Sequence, residues 1–355
     1  IDLSMTSRPV KRLLTAYKTH TIQLTWDFNQ TKDAKSLESF GKELARLLSA
    51  YMTVTLTFDN DDEDQNLLFC ILENHGVKQD YERTINGVRA PLAMRKRKKR
   101  MLFEIAGGED REVDLKFMED LTEHIKSIFY IDTYNVSYDL ISNFDFFGAF
   151  FWKYSGKKFG KLDISPPSDV EFNEDQIRMI FNELEVDDLC LEIESDCELI
   201  QGLNLNSKKL KIWNTGYLSI EDVQESKCEK IEITFPGRLN VDRYLIKTIN
   251  LWKTGKKLSN LKRLKFKRGG WSEEEHEEDK KAFFEKAGNL GIRRHESAKN
   301  KCYINRDTDK AVALLAYNGD IFKMIVQNDN DEAEEKDDDD SDDSDEEEES
   351  EDEEE

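Results

Sequence analysis

The stretch Leu210–Ile233, LKIWNTGYLSIEDVQESKCEKIEI, carries an apolar alternation at each end and a short helical pattern between them. In Leu210-Lys211-Ile212 and Ile231-Glu232-Ile233 every second residue is apolar. That period places the apolar side chains on one face of a strand and the charges on the other. Ser219 to Glu225 fits one turn of helix or two. Two strands of matching pattern joined by a helical crossover describe parallel neighbours, because a tight hairpin can join only antiparallel ones.

The same alternation recurs on both sides of this stretch. Lys161-Leu162-Asp163-Ile164, Leu189-Cys190-Leu191-Glu192-Ile193 and Leu264-Lys265-Phe266 repeat it, and the last apolar residues of the five segments are 29, 19, 21 and 33 residues apart. Helical patterns lie between them. Asn173 to Leu184 has Ile177, Ile180, Phe181 and Leu184 in phase, and Asn240 to Lys253 has Val241, Leu245, Ile249 and Trp252, with Gly255 as a stop. The expected fold class is therefore α/β, or α+β overall: short parallel strands alternating with helices. A curved, open-edged, irregular leucine-rich-repeat-like solenoid fits this pattern, since no single unit can bury its own face.

The first half reads as a mixed sheet. Thr21 to Phe28 and Met52 to Phe58 alternate strictly, Leu67 to Leu72 is apolar, and Tyr134 to Leu140 is a further strand. Lys35 to Tyr51 has helical spacing through Leu37, Phe40, Leu44, Leu47 and Leu48. Val113 to Phe129 is a clearer amphipathic helix, with Leu115, Met118, Leu121, Ile125, Ile128 and Phe129 on one side. Ile141 to Tyr154 is expected as a buried helix whose stripe of Phe146, Phe147, Phe150, Phe151 and Tyr154 is core rather than a ligand box. Between Pro91 and the next strand lies Arg95-Lys96-Arg97-Lys98-Lys99-Arg100. This run reads as a nuclear localisation signal or an anion-binding patch, or as a solvated loop after a Gly87/Pro91 turn, or as charge guarding a sheet edge.

Most of the net charge of −23 is local. Asp331–Glu355 holds 20 acidic residues and Lys336, a net of −19, which leaves −4 for residues 1–330. With no aromatic residue the tail buries too little apolar surface to offset ordering, and it is expected to be disordered. Ser344 and Ser350 have Glu347 and Glu353 three residues on, the pattern an acidophilic kinase prefers. Such a tail contacts basic proteins such as histones, or it serves solubility alone. No stretch approaches the roughly 20 apolar residues of a membrane span. The five cysteines, Cys70, Cys190, Cys197, Cys228 and Cys302, lack paired short spacings, so neither a disulfide framework nor a zinc site is expected. Reduced thiols fit a cytoplasmic or nuclear chain.

Catalytic motifs are missing from the sequence. His20, His75, His124, His276 and His295 form no i, i+4 pair, and there is no G-x-S-x-G, P-loop or G-x-G-x-x-G. A non-catalytic chain without a metal or cofactor is expected, with no direct nucleic-acid contact. A hydrolase would need a pocket that gathers His124 or His295 with carboxylates.

Two further segments carry a family resemblance. Asp2-Leu3-Ser4-Met5-Thr6-Ser7-Arg8-Pro9-Val10-Lys11-Arg12-Leu13-Leu14 resembles the trailing half of an F-box, especially the nematode form, although an ordinary amphipathic segment has the same spacing. Leu210-x-Ile212, Thr215, Tyr217, Ser219-Ile220-Glu221-x-Val223 and Cys228-x-x-Ile231-x-Ile233 resemble the F-box-associated domain of a large nematode family. Leu245, Trp252, Gly255 and Asn260-Leu261-x-x-Leu264-x-Phe266 are similar to its ending. Tyr217 and Tyr244 depart from the family's usual Trp and Asp.

The resemblance implies a substrate-recognition subunit of an SCF-type ubiquitin ligase. It implies a partial F-box over 1–20, a mixed α/β region over 21–112, the associated repeat-like domain over 113–328 and the acidic tail over 329–355. The box would bind a Skp-like adaptor, and through it a cullin, with Leu3, Val10, Leu13 and Leu14 at or behind the contact. An unknown protein target would bind exposed strand positions such as Lys211, Glu232 and Lys265. The chain would carry only the trailing half of the box. A scaffold or histone-binding protein that uses the acidic tail, with import through Arg95–Arg100, is the alternative.

Overall fold

A computed structural model describes residues 22–28, 50–58, 66–72, 81–85, 88–97, 100–106, 111–139, 145–166, 170–193, 195, 197, 199–213, 216–235, 241–268, 273–295 and 300–327. Leu3, Val10, Leu13, Leu14, Lys98, Lys99, Ser344, Ser350, Gly87 and nearly all of the helix expected over Lys35–Tyr51 lie outside the described residues. Ala50 and Tyr51 are described, and they open a strand.

Seven parallel strands form the middle of the sheet. They are β1 (Ile22–Phe28), β7 (Thr133–Asp139), β8 (Lys158–Ser165), β9 (Glu185–Glu192), β10 (Lys209–Trp213), β11 (Lys230–Phe235) and β12 (Arg263–Arg268), hydrogen-bonded in that order. From β7 to β12 each strand pairs with the next one in sequence. Helices fill most of the crossovers: α2 (Phe151–Ser155), α3 (Glu174–Glu183, whose second half is π-helical), α4 (Ile220–Glu225) and α5 (Val241–Lys253, π-helical at its start). The exception is the β9–β10 connection. There the described residues form no helix, and Ile200 makes an isolated parallel bridge to Leu218.

A mixed set of strands, antiparallel except for the β3–β6 pair, extends this parallel block on one side, and an antiparallel set extends it on the other. Beyond β1 come β2 (Ala50–Phe58) and β3 (Asn66–Leu72), then β6 (Arg100–Ala106), β5 (Val88–Arg97) and β4 (Tyr81–Ile85). Beyond β12 come β16 (Ile321–Gln327), β15 (Val312–Tyr317), β14 (Lys301–Asn305) and β13 (Arg293–Arg294). Among the described residues, all sixteen strands belong to one sheet. β1 pairs with β2 on one side and β7 on the other, so the sheet runs through both the N-terminal region and the repeat-like region.

The alternation of the strands becomes burial. In β1 the pattern is buried at Ile22, Leu24, Trp26 and Phe28 and half-buried between them, and β11 and β12 repeat it. Helix α1 (Arg111–Ile128) covers the buried side of β1 through Phe117, Met118, Leu121 and Ile125. Trp26 Nε1 donates to Thr122 Oγ1 at 3.0 Å, and the Thr122 hydroxyl donates to the Met118 carbonyl. The starts of β1 and β7 are joined, since Ile22 N donates to Asp132 Oδ2 and Asp132 N donates to Ile22 O. Helix caps set the crossovers. Asn173 and Gln176 close a capping box at the start of α3, and Ser219 Oγ accepts from Glu221 N at the start of α4. Gly255, at φ 67, ends α5 in a conformation a side chain resists.

Three expectations are corrected. The helix expected over Ile141–Tyr154 is only Phe151–Ser155 among the described residues. Asp145 Oδ1 accepts from Gly148 N, and this local bond holds a turn where the helix would run. The expected aromatic packing does occur, around buried Phe146 and Phe151. The cationic run is not a loop after a turn at Pro91. Pro91 lies inside β5 opposite Glu82, Arg95–Arg97 complete that strand, and Arg100 opens β6. Arg95–Arg97 pair with β6 alone, because the β4 partners reach only to Leu92, so among the described residues their other side is an open strand edge, in keeping with charge at a sheet edge. The third correction is that the repeat-like region expected over 113–328 does not end in parallel strands, since β16, β15, β14 and β13 pair antiparallel, while the first half is the mixed sheet expected of it.

Under the C-terminal wing, α6 (Glu273–Gly288) sets Phe283 against Tyr317 and Phe322. Beside it Arg268 Nη1 meets Asp279 Oδ2 at 2.7 Å, with side chains 0% and 7% exposed. Removing one partner of a buried pair strands the other charge, so Asp279→Ala is expected to cost about 3–5 kcal/mol. The double substitution Arg268→Met with Asp279→Leu should recover most of that loss. Chemical denaturation of the three chains measures both values.

Candidate functional site

The second face of the parallel strands is polar and half-buried, and no helix among the described residues packs over it. Its side chains are the polar members of each alternation. In-register parallel pairing lines them up in rows across the sheet. The central row runs from Asp27 through Ser137, Asp163 and Cys190 to Lys211, Glu232, Lys265 and Lys323.

The acidic half of this row comes from β1, β8 and β9. Thr53 Oγ1 donates to Asp27 Oδ2 at 2.8 Å. Burial raises the Asp27 carboxyl above the usual carboxylate range, while that hydrogen bond and the Lys161 charge oppose the rise. Lys161 Nζ lies 3.0 Å from Asp163. Asn135 Nδ2 donates to Gln23 and Thr25, and Asn135 Oδ1 accepts from Lys161 N, so one amide ties β1, β7 and β8 together. Gly160 makes room for it, because a Cβ there would lie 2.8 Å from Asn135 Oδ1.

Cys190 lies between the two halves. Burial, with Asp163 beside the sulfur, pushes its thiol up to about 12. A thiol held protonated is a poor nucleophile, which removes Cys190 as a candidate for covalent chemistry near neutral pH. Cys228, on the covered side, is pushed up to about 11 by burial.

The basic half comes from β10, β11, β12 and β16. Lys211 Nζ lies 4.2 Å from the centre of the Trp213 ring. Lys265 Nζ meets Glu232 at 3.0 Å with side chains 12% and 26% exposed, and Lys267 approaches the same carboxylate at 3.7 Å. Burial lowers the Lys265 ammonium from its usual range, against the pull of Glu232. Two cations on one carboxylate leave net positive charge at the surface here. These side chains are held by neighbours on the same strand, as Lys211 is by Trp213, or on the next, as Lys265 is by Glu232, so the face is organised before anything binds.

Lys211, Glu232 and Lys265, named from sequence as exposed strand positions, therefore fall in one row. Asp27, Ser137 and Asp163 share that row and were missed, because register depends on crossover geometry that the sequence does not display. Arg95, Lys96 and Arg97 are placed on β5 and Arg100 on β6, eight and seven strands from β10. The cleft of about 560 Å³ at the starts of β7, β8 and β9 is lined by Asp132, Ser155, Lys158, Asn182 and Glu183, among others. It gathers neither His124 nor His295, and His295 stacks on Tyr303 instead. Among the described residues no group of three His, Cys, Asp or Glu side chains is placed to hold a metal ion, and no helix is long and apolar enough to cross a membrane.

The sulfur–carboxylate contact has a direct readout. At pH 8 the native chain should alkylate slowly with iodoacetamide at Cys190, and the rate should keep rising with pH well past 9. Asp163→Asn, which removes the neighbouring negative charge, should increase the rate at fixed pH. Mass spectrometry of the Cys190 peptide follows both, and a fast wild-type reaction at neutral pH would contradict the assignment.

No family model, no curated protein and no solved structure matches this chain.

Proposed function

We propose that this chain is a target-recognition subunit of an SCF-type ubiquitin ligase, and that the uncovered face of the parallel strands contacts the target. The observation that carries the reading is the succession from β7 to β12. Each strand lies beside its sequence neighbour, one face carries the core, and the other presents rows of organised polar side chains. Repeat proteins with this economy bind other polypeptides across such a face. The irregular crossovers, including the one without a described helix, fit a degenerate leucine-rich-repeat-like solenoid. The adaptor-binding role of Leu3, Val10, Leu13 and Leu14 rests on the F-box resemblance, an associational argument. In this reading ubiquitin transfer belongs to other subunits, and the chain contributes binding only.

The second reading, an acidic-tailed nuclear scaffold, is favoured by the charge of Asp331–Glu355 together with the cationic run Arg95–Arg100. A pull-down separates the two. The chain, with any coding sequence that lies upstream included, should recover a Skp-like adaptor and a cullin, and Leu13→Asp with Leu14→Asp should abolish that recovery. Trp213→Ala should leave the adaptor in place and weaken target retention by roughly tenfold or more, the effect of losing a central aromatic contact. Recovery of basic proteins alone, lost on deleting Asp331–Glu355, would establish the scaffold reading in its place.

A further inference from the structure

The uncovered face is electrically divided, and the division points to a ligand within the chain itself. On β10, β11, β12 and β16 its side chains include Lys211, Lys265, Lys267 and Lys323, and Glu232 is the one carboxylate among them. A second row, nearer the starts of β10 to β12, is formed by Lys209, Lys230 and Arg263, which are aligned in register and exposed. Lys209 reaches Asp188 at 3.3 Å, whereas Lys230 and Arg263 close no ion pair among the described residues. A row of three cations of which only one is paired, on an organised surface, attracts a polyanion.

The chain leaves the sheet beside this row. β16 is antiparallel to β12, with Ile325 opposite Arg263 and Val326 N donating to Lys262 O at 2.8 Å. Gln327 therefore ends β16 two residues past the level of Arg263, on the same face of the sheet. Four residues on, at Asp331, begins a segment with 20 acidic residues. Four extended residues span about 13–14 Å. Neighbouring strands lie about 4.8 Å apart, so Arg263 and Lys230 are within reach of the first acids and Lys209 is at the limit. The other half of the face presents Asp27, Asp163 and Asp188, which repel the same segment. Ile325, 38% exposed, adds an apolar step between the exit point and the basic row.

We propose that Asp331–Glu355 docks in cis on the basic half of the uncovered face, with its first acidic residues at Arg263, Lys230 and Lys209. The contact goes beyond target recognition, and it stands or falls independently of the F-box reading. It makes the tail a competitor for any ligand of β10–β12. Phosphate on Ser344 or Ser350 adds negative charge to the competing segment and strengthens its hold.

Carbodiimide cross-linking of the purified full chain tests this, using an equal mixture of unlabelled and 15N-labelled protein. At low salt, amide bonds should join carboxylates of 331–340 to Lys230 and Lys209 within single molecules, so light–heavy pairs should be rare. The yield should fall severalfold at 0.5 M NaCl, where the screening length shrinks to about 4 Å. Arg263→Glu with Lys230→Glu should reduce the link to Lys209 severalfold without changing the melting temperature. Equal yields at lysines on the helical side, such as Lys247, Lys256 and Lys281, would overturn the proposal. So would a predominance of light–heavy pairs, or a yield that salt and the charge reversals leave unchanged.

Discussion

The structure depends on the in-register pairing of its parallel strands. Trp26, Val136, Leu162, Leu189, Leu210, Ile231, Leu264 and Met324 are consecutive partners across eight strands, and every one is buried. A second row runs from Phe28 through Tyr138, Ile164, Leu191, Ile212, Ile233 and Phe266 to Phe322. Because side chains alternate with period two, a slip of one residue at any pair would move that strand's apolar set to the solvent side. The helices then have one side to pack on, and the polar members of every strand are gathered on the other.

That constraint explains how the uncovered face acquires its properties. Side chains far apart in sequence, such as Asp27, Asp163 and Lys211, are drawn into one row by backbone pairing alone. Packed against neighbouring strands, they are partly desolvated, which raises the Asp27 carboxyl and the Cys190 thiol and lowers the Lys265 ammonium. Partial desolvation strengthens each cross-strand pair. It also gives an incoming polypeptide an organised surface, acidic toward β1 and basic toward β12 and β16. The antiparallel wing then returns the chain to the basic end, where Gln327 emerges.

Much of the fold was legible in the sequence where a strand is half-covered. Ile22–Phe28, Leu210–Ile212, Ile231–Ile233 and Leu264–Phe266 each state their period plainly, and Ser219 and Asn173 announce their helices. Legibility failed where a local hydrogen bond competed with periodicity, as at Asp145 and Gly148. It also failed at the C-terminal wing, where Val312–Tyr317 and Ile321–Gln327 flank an Asn318-Gly319 turn. Asn318 Oδ1 accepts from Asp320 N and Ile321 N, and Gly319 has a φ of 104, so this hairpin had a readable signal. For the candidate site, the sequence reveals which residues face outward from each strand. Their order across the sheet is set by crossover lengths and by the long excursion between β1 and β7, which periodicity does not encode.

An aspartate scan through 209–213, 230–234 and 263–267, read by thermal unfolding, tests the central claim most directly. The account predicts a strict period of two. Aspartate at Leu210, Ile212, Ile231, Ile233, Leu264 or Phe266 should prevent folding, while aspartate at the exposed Lys209, Lys230 or Arg263 should change stability by no more than about 1 kcal/mol. A helical period in the scan, or equal sensitivity on both faces, would contradict a sheet with one buried and one open side.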